Sequence, residues 1–97
     1  MQIQVTSAAQ RDLIEAYDWY ENRSAGLGRA LIQSVDTVFA FIRRHPTVPR
    51  IVLRDLRCVH AKRFPYAIYY QIRECHTARI VAVLHTSRDR IALIPRL

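Results

Sequence analysis

Glycine, cysteine and lysine are scarce: the chain holds two glycines (Gly26, Gly28), two cysteines (Cys58, Cys75) and one lysine, Lys62. Gly26-x-Gly28 lacks the third glycine and the preceding strand of a dinucleotide loop, so it predicts a turn between helices and no cofactor. Two cysteines without C-x-x-C spacing predict reduced packing residues rather than a disulfide or redox pair. The longest run without a charged side chain is Met1 to Gln10, far short of the roughly 18 apolar residues of a membrane-spanning helix. It is also too polar for the apolar region of a signal peptide. No membrane association is expected, and the expected location is the cytoplasm.

The 97 residues are 51% hydrophobic and 9% aromatic. That length suits one domain, residues 1–97, and that hydrophobicity excludes a disordered tail. Charge is distributed unevenly. Residues 1–42 carry three arginines and five acids, a net of −2, whereas residues 43–97 carry twelve bases and three acids, a net of +9. Arginine forks bind phosphate and carboxylate in two-point geometry. The second half therefore predicts an anionic partner: RNA, DNA or an acidic protein segment.

Met1–Val5 alternates like a short strand. Ser7-x-x-Gln10 reads as a capping box that opens a helix, with Ala9, Leu13, Ala16, Tyr17 and Tyr20 on its apolar side. Asp12, Glu15, Asp18 and Glu21 mark a wetter side. The run ends around Asn22 to Gly28. A second helix places Leu27, Leu31, Val35, Val38 and Ile42 on one stripe, and Pro46 stops it. Strand-like runs follow at Arg50–Leu53, Cys58–Arg63, Tyr66–Arg73 and Ile80–His85, the last an apolar inner strand. Glu74–Thr77 reads as the hairpin loop between the final two. The order β-α-α-β-β-β-β predicts an α+β domain: an N-terminal strand and an antiparallel helical hairpin packed on a mostly antiparallel β-sheet.

His45, His60, His76 and His85 share no ligand spacing, so no metal site is expected. Ser87 beside His85 has no nucleophile elbow around it. The chemistry-bearing residues gather in the C-terminal half: Arg57, Lys62 and Arg63 on or beside one strand, Tyr66, Tyr69 and Tyr70 on the next, His85 and Arg88 at the end of the last. Basic groups for phosphate, aromatics for stacking and a histidine are the parts of a metal-free ribonuclease. The alternative places Tyr66 and Tyr70 in the core with Ile68 and Ile72, by period two, and leaves the arginines as a docking surface for an acidic peptide.

The chain resembles the RelE/ParE superfamily of toxins from type II toxin–antitoxin systems, and its ParE-like branch in particular. The resemblance rests on Asp18-Trp19-Tyr20-Glu21, the turn GLGRALI, Pro46 after the second helix, Arg63-Phe64-Pro65-Tyr66-Ala67-Ile68-Tyr69-Tyr70, and the ending His85-Thr86-Ser87-Arg88-Asp89, in that order. It implies a small basic toxin held inactive by a cognate antitoxin, which the charge predicts to be acidic and to fold on binding. In the ParE-like branch the implied target is DNA gyrase and no catalysis is implied. The RelE-like alternative implies cleavage of mRNA at the ribosome, with Lys62, Arg63, His85 and Arg88 matching its basic and terminal groups. The tail Ile91-Ala92-Leu93-Ile94-Pro95-Arg96-Leu97 lacks the tyrosine typical of RelE-like endings, which favours the ParE-like branch. A basic module that only binds RNA or protein is a third reading. The partner-binding candidates are Arg57, Arg63, Tyr69, His85 and Arg88.

Overall fold

The computed structural model describes residues 1–74 and 76–97. Its elements are β1 (Gln2–Val5), α1 (Ser7–Arg23), α2 (Leu27–Arg44), β2 (Ile51–Leu53), β3 (Leu56–His60), β4 (Tyr66–Arg73), β5 (Thr77–His85) and a C-terminal 3-10 helix (Arg90–Arg96). The strands form one five-stranded sheet in the order β1-β5-β4-β3-β2. β1 runs parallel to β5, and every other pair is antiparallel. The predicted architecture holds, with the 3-10 helix as an addition.

The start of α1 differs from expectation. Thr6 is the cap: its Oγ1 accepts from the Ala9 N–H at 3.2 Å, and its own N–H donates to Ile80 O. Ser7 is already helical, so no Ser7–Gln10 capping box forms. At the other end of the hairpin, Glu21 leaves the wet side assigned to it. Its carboxylate accepts from Gly26 N–H at 2.9 Å and Gly28 N–H at 3.0 Å, satisfying donors that the first turn of α2 leaves open. Gly26 has φ +89°, which glycine adopts without strain. A Cβ at Gly28 would stand 2.8 Å from the Tyr17 ring, so glycine there lets the helices approach.

α2 buries Leu31, Val35, Val38, Phe39 and Ile42. They meet Ala9 and Ala16 of α1 and Ile68, Tyr70, Ile80 and Val83 of the sheet in the main core. Each aliphatic side chain of this size contributes about 1.5–3 kcal/mol on full burial. β5 lies between β1 and β4, and a register shift there pairs Tyr69 with Ala82 but Tyr70 with Ile80. The extra residue, Val81, makes a bulge. As a result Ile80 and Val83 both face the helices, while Val81, Ala82 and Leu84 join a second cluster on the opposite face.

That second cluster is closed by the tail, which sequence periodicity left unassigned. Asp89 caps the 3-10 helix by accepting from Ile91 N–H at 3.0 Å, and Leu93 is fully buried against the cluster with Leu56, Ala67 and Tyr69. Arg96 then reaches α1. Its guanidinium grips Asp12 through two bonds of 2.6 and 2.9 Å and also donates to Val81 O. Asp12 additionally accepts from Val83 N–H at 2.9 Å, so it is a half-buried junction rather than a solvated charge.

Strand limits shift as well. β3 covers Leu56–His60 in place of Cys58–Arg63, because Arg54 turns the chain early at φ 52° and Leu56 pairs with Leu53. Lys62 and Arg63 thus leave the strand for the β3–β4 connection, where Arg63 has φ 73°. β5 begins at Thr77, paired with both Arg73 and Gln2, so the hairpin connection is shorter than Glu74–Thr77. Cys58 is free and half-buried; the packing role expected of Cys75 lies outside the described residues.

Candidate functional site

The β3–β4 connection and the end of β5 lie side by side, because Tyr66 pairs with His85 and the Thr86 N–H donates to Pro65 O at 2.8 Å. This brings Lys62, Arg63, His85 and Arg88 to one end of the sheet, all four exposed. Ser34 of α2 donates its hydroxyl to Lys62 O at 2.6 Å and fixes the connection against the helix. The Arg63 guanidinium stands 5.8 Å from the Phe64 ring.

An aromatic series leads from α1 to the same end. Trp19 and Tyr20 meet edge-to-face at 4.8 Å, Tyr20 meets Phe64 at 5.0 Å and Tyr66 at 6.2 Å, and Tyr66 meets His85 at 5.4 Å. Trp19 keeps 51% of its surface exposed, with the Arg23 guanidinium 3.8 Å from its ring centroid, a cation–π contact. Between α1 and the end of β5 lies a cleft of about 390 Å³, lined by Glu15, Trp19, Tyr20, Tyr66, His85 and Arg88 among others. Burial raises the Tyr66 hydroxyl above its ordinary pKa, helped by Tyr20 and Asp12. Tyr66 is therefore a neutral hydrogen-bond donor at physiological pH.

The His85 ring is oriented by its own turn. The Ser87 N–H donates to Nδ1 at 3.0 Å, and Ser87 Oγ lies 2.8 Å from the same nitrogen. With Nδ1 accepting, the neutral ring carries its proton on Nε2. The Arg88 N–H closes the turn on His85 O at 2.9 Å. One imidazole N–H donor beside exposed guanidinium groups suits contact with carboxylate or phosphate.

Three sequence candidates lie elsewhere. Arg57 donates to Thr47 O at 3.0 Å and Pro49 O at 2.7 Å, tying down the α2–β2 connection. Tyr70 is fully buried, and its hydroxyl donates to Pro46 O at 2.6 Å, as the core alternative expects. Burial raises its pKa, partly offset by Arg57. Tyr69 is buried on the opposite face with Cys58. Its hydroxyl is raised first by burial and then by Cys58, against a lowering contact with Arg90. The Cys58 thiol is likewise raised by burial. The bulge at Val81 and the alternation of β4 thus divide the predicted aromatic and basic group between two faces.

Sequence reasoning did not single out Trp19, Tyr20, Glu15 or Ser87 as site residues. The available signal was the lone tryptophan, in Asp18-Trp19-Tyr20-Glu21, at a helical position turned away from the apolar stripe. Among the described residues, no three His, Cys, Asp or Glu side chains converge where they could hold a metal ion.

The family model described as ParE toxin of type II toxin-antitoxin system, parDE, matches residues 3–90. No curated protein matches the sequence. Among solved structures, the chain is similar to one from the chromosomal ParDE TA system of P. aeruginosa, with TM-score 0.65 and 15% identity over 88% of this chain and 95% of that one. It is also similar to one from the toxin-antitoxin complex RelBE2 of Mycobacterium tuberculosis, with TM-score 0.61 and 26% identity over 87% of this chain and 95% of that one.

Proposed function

The chain belongs to the ParE toxin family of type II toxin–antitoxin systems, and we propose that it inhibits DNA gyrase in the cytoplasm and is neutralised by a cognate antitoxin. The observation that carries the choice of target is the tail. Residues Ile91–Leu97 contain no tyrosine, and they are committed to packing: Leu93 is fully buried and Arg96 is held by Asp12. The tail therefore supplies no tyrosine hydroxyl to the basic end of the sheet, where an RelE-like reaction calls for one.

An antitoxin partner is supported by both similar structures, which come from toxin–antitoxin systems, and by the charge of residues 43–97. Among the described residues the one ion pair is Arg96–Asp12, which leaves exposed arginines such as Arg63 and Arg88 without a carboxylate of their own. One observation favours the second reading, ribosome-dependent mRNA cleavage: His85 and Arg88 line one cleft with Tyr66, and Lys62 and Arg63 stand exposed on the connection that leads into Tyr66. Expression of the protein, with replication and translation followed separately, distinguishes the two. Replication should stall with DNA-damage signalling while translation continues. An immediate translation block with discrete mRNA cuts, and undisturbed replication, would overturn the gyrase reading.

A further inference from the structure

The cleft between α1 and the end of β5 carries opposite charges on its two sides. α1 lines it with Glu15 beside Trp19 and Tyr20, and the sheet side lines it with Tyr66, His85 and Arg88. Asp12 is engaged by Arg96 and the Val83 N–H, whereas Glu15 is exposed and forms no ion pair among the described residues. Arg88 is likewise exposed and forms none. A carboxylate and a guanidinium that share a cleft without meeting suit a ligand with a donor edge at one end and a negative charge at the other. Trp19, Tyr20 and Tyr66 add aromatic surface, and Trp19 already carries one planar group, the Arg23 guanidinium, 3.8 Å from its ring centroid.

A nucleotide joins the three features that this cleft complements: a flat base, donors on the base edge and a phosphate. The volume of about 390 Å³ falls within the roughly 300–1,000 Å³ usual for small-ligand sites. A neighbouring hollow shares Glu15 and Arg88 with the cleft and adds Arg11 and Arg79, which extends the basic side toward phosphate. Glu15 selects the base. A carboxylate offers acceptors and no donor, and among the DNA bases only guanine presents two adjacent donors, N1–H and N2–H, on the edge by which an unstacked base is read. A cationic side chain from a protein partner would satisfy Glu15 but would meet Arg23 and Arg88 at the same cleft. We propose that the cleft is a binding pocket for one unstacked guanine nucleotide, with its base against Trp19 and Tyr66, its N1–H and N2–H on Glu15, and its phosphate on Arg88. The assignment goes beyond the gyrase reading and does not rest on it.

Trp19 is the sole tryptophan, so its fluorescence in the full chain reports on the cleft directly. Titration with dGMP should quench it at a concentration at least tenfold below that needed for dAMP, dCMP or dTMP. Glu15→Gln exchanges an acceptor for a donor and should bring dGMP to the level of the other three, whereas Arg88→Ala should weaken all four. Both positions are exposed, so both variants should melt like the parent. Asp36→Asn, at an exposed position of α2, is a control whose affinity should stay within about twofold. A short DNA single strand with one guanine among thymines separates the sources of the ligand. Binding at least tenfold tighter than dGMP supports a guanine held within a strand, and equal affinity supports the free nucleotide. Equal quenching by all four nucleotides, unchanged in Glu15→Gln, would overturn the guanine assignment. No quenching by any nucleotide, or tighter binding of arginine amide than of dGMP, would overturn the pocket itself. None of these measurements involves gyrase, so their failure leaves that reading untouched.

Discussion

One face of the sheet is covered by helices of 17 and 18 residues, the other by a 3-10 helix of 7. The hairpin face is built from repeated aliphatic contacts, with Leu31, Val35 and Ile42 almost wholly buried. On the other face the tail itself contributes one deeply buried side chain, Leu93, and one charge junction, Arg96 with Asp12. Loss of a single group should therefore have different consequences on the two faces. A dense core fails cooperatively, whereas a short strap held at two points opens locally. The basic end of the sheet lies where these regimes meet, because Asp12 joins α1, β5 and the tail beside the cleft.

The largest effect should come from Val35→Asp, which places a carboxylate among apolar groups where no partner reaches it. Its circular dichroism melt should lose cooperativity altogether. A folded variant would show that the hairpin core tolerates insertion and would erase the contrast between the faces. Leu93→Ala comes next, at about 2–5 kcal/mol if the cavity stays open. Tail amides should then exchange well ahead of those in β4 and β5. If Leu93→Ala instead unfolds the whole domain in one step, the two faces are equally cooperative.

The junction offers a finer comparison. Asp12→Ala strands the Val83 N–H as well as Arg96, so it should cost about 1–3 kcal/mol. Arg96→Ala leaves Asp12 still accepting from Val83, and the partly exposed pair itself is worth roughly 0–1 kcal/mol. Urea denaturation of the two variants should rank them in that order. The reverse ranking would mean that Asp12 matters to the tail alone.

Much of the hairpin face was legible because its signals are local. The stripe from Leu27 to Ile42 repeats at helical spacing, Pro46 ends it, and β5 reads as an inner strand from its own apolar run. The tail face was not legible. Arg96 finds Asp12 across 84 positions of sequence, and no local window connects them. The same limit explains Glu21, assigned to water but bonded to Gly26 and Gly28, and Asp12, assigned to the wet side of α1. At the candidate site, the pairing of Tyr66 with His85 sets β4 beside the end of β5, while Lys62 and Arg63 line a separate groove against α2. Tyr69, grouped with them, is turned to the opposite face by the alternation of β4, and Arg57 is taken up by the Thr47 and Pro49 carbonyls, a partnership that no local window shows.

Alkaline stability separates the faces more gently. Burial raises Tyr70 on the hairpin face and Tyr69 and Cys58 on the tail face above their ordinary values of 10.0 and 9.0. Their protonated forms are favoured in the folded state, so this contribution is complete below pH 9 and declines as pH rises through the unfolded and then the folded values. The melting temperature should fall above about pH 9, first through Cys58. Cys58→Ala should delay the onset, and Tyr70→Phe should flatten the later slope. A melting temperature that rose over this range would contradict the sign of all three shifts.

The smallest effect on stability, within roughly 0.5 kcal/mol, is expected for the exposed His85→Ala and Arg88→Ala, which makes them clean probes of function. The most direct measurement is gyrase supercoiling with purified protein, run beside a ribosome-bound mRNA cleavage assay. The account predicts that wild type inhibits supercoiling or traps gyrase–DNA cleavage complexes and leaves the mRNA whole. Discrete mRNA cleavage that disappears in folded His85→Ala, with supercoiling untouched by wild type, would contradict it.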